Sequence, residues 1–158
     1  MQSSVNTSPG GPRIVFVLIA MLSCAGIIDS GVALERHFAK SSTSYCDFSQ
    51  KFSCDIVNRS EYSTLLGIPV ALIGVAGYAM LFVLATFLRA RAETPDWLLW
   101  AALAGLGFAL YLSYIEAYVL TTWCILCLFS LALISLITVL AAVLKVNSSR
   151  TMRAGGKA

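Results

Sequence analysis

The stretch "TTWCILCLFSLALISLITVLAAVLK", residues 121–145, leads from two threonines and a Cys-X-X-Cys pair into an uncharged apolar run that ends only at Lys145. A run of that length and composition reads as a membrane-crossing helix, since about 20 helical residues span a hydrocarbon core of roughly 30 Å. Working outward, three more runs of the same character lie at 14–34, 64–88 and 97–115, and the fourth falls within 117–144. Only the first of the four carries a charge, Asp29. The 158-residue chain is 58% hydrophobic and 12% charged, far from the composition of soluble domains. The expected fold is an all-α integral membrane protein, a bundle of four transmembrane helices with a long extracytoplasmic loop between the first and second. Its expected parts are a cytoplasmic N-terminal tail at 1–13, the membrane domain at 14–144 and a basic cytoplasmic tail at 145–158.

Orientation follows from lysine and arginine, which are retained on the cytoplasmic side of span ends. With both termini inside, the inner side holds Arg13, Arg89, Arg91, Lys145, Arg150, Arg153 and Lys157, against Arg36, Lys40, Lys51 and Arg59 in the outer loop. The net charge of +3 suits anionic headgroups and shows no nucleic-acid footprint.

That topology places four of the five cysteines on one face. Cys46 and Cys54 lie in the loop "YCDFSQKFSCDIVNRS", and Cys124 and Cys127 open the fourth span from the same outer side. The outer face of a bacterial inner membrane, or the lumenal face of an endoplasmic reticulum, is oxidising. Cys124 and Cys127 share a helix face, and a helix N-terminus favours thiolate over thiol. Two dithiols in series can pass electrons from an aqueous protein to an acceptor dissolved in lipid. Four thiolates can instead hold a structural zinc, and four outer cysteines can form static disulfides. Cys24, alone in the first span, reads as a small packing residue.

Together the residues resemble the vitamin K epoxide reductase family. The resemblance is carried by "CDFSQKFSC", by Ser60 six residues beyond Cys54, by "LLGIP" at 65–69, by Gly74 and Tyr78, and by Cys-Ile-Leu-Cys at the last span, covering 14 to about 144. It implies a four-helix bundle with a quinone site at its outer end, beside the Cys-X-X-Cys pair. The chain is most similar to prokaryotic stand-alone members in the inner membrane, with active-site cysteines facing the periplasm. These reoxidise a DsbA-type, thioredoxin-like partner and send the electrons to menaquinone or ubiquinone, without a metal. The resemblance implies that Cys46 exchanges with the partner, that Cys54 passes electrons to Cys124, and that Cys127 faces the quinone. Ser60 organises the loop over the site. The vertebrate asparagine and tyrosine that hydrogen-bond the vitamin ring fall at Val70 and Leu131, both apolar, so quinone reduction is expected rather than epoxide reduction.

Among the remaining residues, Asp29 is a candidate proton relay, or else a cap or polar contact near the outer interface. Glu116 and His37 read as solvated residues at the water boundary, with a role in proton transfer as the alternative. Trp97, Trp100 and Trp123 fit an interfacial belt, Gly105 and Gly107 close helix packing, and Pro69 a kink near the start of the second span.

Overall fold

The computed structural model describes residues 11–38, 47–49, 52–53, 57, 60–65, 67–91 and 93–155. Backbone polar groups in lipid must be satisfied within the segment, so the uncharged runs become helices. Helix α1 is Gly11–Phe38, α2 is Val70–Thr86, α3 is Thr94–Ile115 and α4 is Ile125–Gly155. Three stretches, Gly11–Phe38, Thr94–Leu120 and Ile125–Arg150, are long and apolar enough to cross a membrane. The chain is a membrane protein. With 17 residues, α2 is also apolar but shorter, about 26 Å at the usual helical rise.

The second span is expected from residue 64, yet α2 begins at Val70. Residues Thr64–Leu65 (β1) and Ile68–Pro69 (β2) pair antiparallel, Thr64 with Pro69 and Leu65 with Ile68. Gly67, at φ +82°, supplies the left-handed turn between them at no steric cost. Pro69 precedes α2 as its N-cap residue and does not kink it, which suits a residue that cannot donate a backbone hydrogen bond. A second short antiparallel pair, β3 (Asp47–Ser49) with β4 (Phe52–Ser53), lies in the loop after α1. At the other extreme α4 continues through Lys145 to Gly155, into the stretch read as a tail.

Helix α1 packs on α2 and α4, and α3 packs on α4 and α2. The first half of α1 lies beside the end of α2, and Lys145 late in α4 pairs with Asp96 in the first turn of α3. Arg13, Arg89, Arg91, Lys145 and Arg150 therefore share one end of the bundle. That end is solid, with Ile19, Leu98, Ala102, Ile137 and Ala141 fully buried.

Lipid offers helices no hydrophobic drive to associate, so close approach depends on small residues. A Cβ on Gly26 would lie 2.4 Å from the Tyr78 ring, and one on Gly105 would lie 3.1 Å from Ile134. A Cβ on Gly107 meets nothing within 4 Å, so of the two α3 glycines only Gly105 is a packing site. Trp97 and Trp100 project from the outer surface of α3 near its start, 63% and 71% exposed, as belt residues do. Cys24 does not pack in the core; it faces outward, in a shallow groove with Phe82 and Ala85.

Candidate active site

The end of the bundle opposite the solid core is hollow. Its geometry begins where α3 runs out. After Ile115 the helix widens into a π-helical turn, Glu116–Leu120, and the chain then reverses through Thr121 in the left-handed region at φ 49°. The Thr122 N–H donates to the Glu116 carbonyl over 3.2 Å, closing this wide turn. A π turn changes which way its side chains face relative to a regular helix, and such turns recur at functional sites.

Here the turn sends Glu116 back toward the start of α4. The Cys124 N–H, one of the first-turn donors that a helix cannot satisfy internally, donates to Glu116 Oε2 over 3.0 Å. The Cys124 carbonyl accepts from the Leu128 N–H over 3.0 Å, which starts the helical ladder. Glu116 is 1% exposed, and its Oε1 is buried without a hydrogen-bond partner among the described residues. It is not a solvated residue at the water boundary. The composition around it looked like a junction between spans, and only the π turn folds it inward.

Cys124 and Cys127 are free thiols. Their sulfurs and a Glu116 oxygen all lie within 4.8 Å of one another. Cys124 is completely buried, under Val57, Leu120 and Leu126. The Cys127 thiol donating to it pushes the Cys124 thiol below its ordinary pKa, helped by the N–H groups of Cys127 and Leu126 and opposed by burial and by the Glu116 charge. A closed zinc site takes four protein donors; among the described residues this group has three.

Cys127 borders a cavity of about 360 Å³ between all four helices. That volume lies at the small end of ligand pockets, and its wall is mostly apolar. Few polar side chains interrupt it, among them Asp29, His37, Tyr78 and Glu116. Asp29 sits well inside α1, 6% exposed, so it is a cavity-wall residue and not a helix cap. The Tyr78 hydroxyl donates to the Ser130 carbonyl at 2.9 Å and lies 2.8 Å from the Ser130 hydroxyl, tying α2 to α4 across the cavity floor.

Over the cavity, Ser60 donates through its hydroxyl to the Val57 carbonyl at 2.8 Å, and the Ser63 hydroxyl donates to the Ser60 carbonyl at 2.7 Å. Ser63 also approaches His37 Nδ1 at 3.4 Å. Val70 lines the cavity, and Leu131 is not on its wall. Of the residues singled out from sequence, Asp29, Ser60 and Cys127 line the cavity, Cys124 lies beside Cys127 off its wall, and Cys46 and Cys54 lie outside the described residues.

Residues 17–142 match the vitamin K epoxide reductase family, a stretch that takes in the cavity and both thiols. Its members are membrane thiol oxidoreductases linked to quinone. Since the match runs through most of the 158 residues, from early α1 to late α4, the chain belongs to the vitamin K epoxide reductase family.

Proposed function

We propose that this protein reoxidises a soluble thioredoxin-like partner of the DsbA type and delivers the electrons to a membrane quinone, so supporting disulfide formation on the outer face of an inner membrane. The observation that carries the reading is the asymmetry of the Cys-X-X-Cys pair. Cys124 is sealed beneath the loop residue Val57, and Cys127 borders the apolar cavity. In this reading one sulfur serves the loop and the other an entering quinone.

The relay follows from thiol–disulfide exchange. A Cys54 thiolate attacks Cys124 of the Cys124–Cys127 disulfide; the Cys54–Cys124 bond forms, and Cys127 leaves as a thiolate. Cys46 then attacks Cys54, giving a Cys46–Cys54 disulfide and a reduced Cys124–Cys127 pair. The outer disulfide oxidises the partner's dithiol. Cys46 thus meets the partner, Cys54 carries the electrons inward, and Ser60 holds the turn above the cavity. A bound quinone supplies an acceptor for two electrons and two protons. Apolar wall residues such as Val70, Phe108 and Leu126 would hold its ring, with polar groups limited to a few points. Basic residues gathered at the solid end favour that end as cytoplasmic.

The test is thiol trapping of the purified protein with and without added quinone. Quinone should convert the reduced inner pair to a disulfide, and Cys127→Ala should accumulate a Cys54–Cys124 bridge because the resolving thiol is gone. Disulfides indifferent to both quinone and dithiol partner would leave a structural protein, and a stoichiometric metal bound to the cysteines would leave a zinc-stabilised one.

A further inference from the structure

We propose that Glu116 is the proton carrier of the cysteine pair, taking the Cys127 thiol proton onto its carboxylate as the pair is oxidised and releasing it into the cavity, where the reduced acceptor takes it up. The inference rests on the redox reading of Cys124 and Cys127. Closing their disulfide breaks two S–H bonds, forms one S–S bond and frees two electrons and two protons. The electrons pass to the quinone, and the protons must end on its oxygens. Cys124 is fully buried and Cys127 borders an apolar wall, so a protein group has to move at least one of those protons.

Glu116 has the placement for it. Its carboxylate lies within 4.8 Å of both sulfurs, and the residue also lines the cavity. A cap for the Cys124 N–H needs one oxygen, and Oε2 provides it at 3.0 Å. The second oxygen, Oε1, is buried with no hydrogen-bond partner among the described residues, in a residue 1% exposed. A buried acceptor left open beside two thiols is unfavourable unless a proton arrives there. A glutamine would cap the same N–H without carrying a proton, so the carboxylate has a use beyond capping. The other titratable groups facing this space are Asp29 and His37 from α1, Tyr78 from α2, and Tyr62 from the loop above it. Among the described residues, neither Asp29 nor His37 is in the group of donor atoms around the thiols.

The experiment is infrared difference spectroscopy of the full chain, oxidised and reduced by soluble thiol reagents with no quinone present. On oxidation of the pair, the S–H stretch should vanish and the C=O stretch of a protonated carboxylic acid should appear, shifting in D2O. Glu116→Gln should lose that C=O band while still losing the S–H band; Glu116→Asp should keep a shifted one. Quinone reduction by Glu116→Gln should be at least ~10-fold slower than wild type and partly restored in Glu116→Asp. A carboxylic band that persists in Glu116→Gln and disappears in Asp29→Asn overturns the proposal, as does its absence from wild type. Failure of wild type to reduce quinone at all would instead remove the quinone reading, while the infrared band would still decide the role of Glu116.

Discussion

At the scale of single residues, the Cys124 thiol is set by its immediate neighbours. The Cys127 S–H is the largest influence holding its pKa down, so Cys127→Ala should raise it. In a background without the other three cysteines, the thiolate ultraviolet absorbance of Cys124 should then titrate at higher pH than in the protein retaining Cys127; no shift, or a downward one, would show that the Cys127 thiol does not hold that pKa down. Gly26 is set as tightly by a neighbour. Its missing Cβ is occupied by the Tyr78 ring, which two contacts to Ser130 hold in place. Gly26→Ala should cost about 1–3 kcal/mol by overpacking, read as a lower thermal midpoint in detergent. Tyr78→Phe should cost about 1 kcal/mol, since it leaves the ring and removes only the hydroxyl. The thiols and Asp29 were legible in the sequence because a close cysteine pair and an intramembrane acid are rare and chemically marked. Glu116 was not, although an acid flanked by apolar runs and eight residues before Cys124 is such a mark. It was set aside because it fell where two spans meet, and hydropathy contains nothing about a π turn.

At the scale of elements, hydropathy locates the spans and misplaces their ends. The stretch "LLGIP" is as apolar as a helix start, but Gly67 and Pro69 favour a hairpin, and the short β1–β2 pair takes the place of the first turn and a half of the expected span. The extension of α4 past Lys145 was missed for the opposite reason: its polar residues are compatible with helix but carry no apolar signal. Between α3 and α4 the chain holds a β-branched residue, Thr121, in a conformation that L-residues with a branched Cβ resist. Among the described residues its hydroxyl bonds only to the adjacent Leu120 carbonyl, and the residue is exposed. Thr121→Gly should therefore stabilise the fold by about 0.5–1 kcal/mol, the relief of left-handed strain less the entropy of an added glycine. A drop in thermal midpoint would mean that the threonine contributes a contact outweighing that strain.

At the scale of the whole molecule, the bundle divides into a solid half and a hollow half, and the division gives the opening Cys-X-X-Cys pair its two directions. The solid end gathers the basic residues, so an impermeant thiol reagent should label reduced Cys46 and Cys54 from outside and spare a cysteine introduced at 90–94. The reverse pattern would invert the topology. In the hollow half, only the second sulfur of the pair borders the cavity; the first is enclosed by Val57, Leu120 and Leu126. A thiolate against the face of an electron-poor ring donates charge into it and gives a visible absorbance, whereas one screened by side chains does not. Cys124→Ala, with quinone bound at alkaline pH, should therefore develop a charge-transfer band that Cys127→Ala lacks. Both variants keep one thiol of the pair and the same helix start, so a difference between them reports position and not merely the presence of sulfur. Equal bands in the two variants, or none in either at saturating quinone, would place the acceptor away from Cys127 and separate the cavity from the redox chemistry.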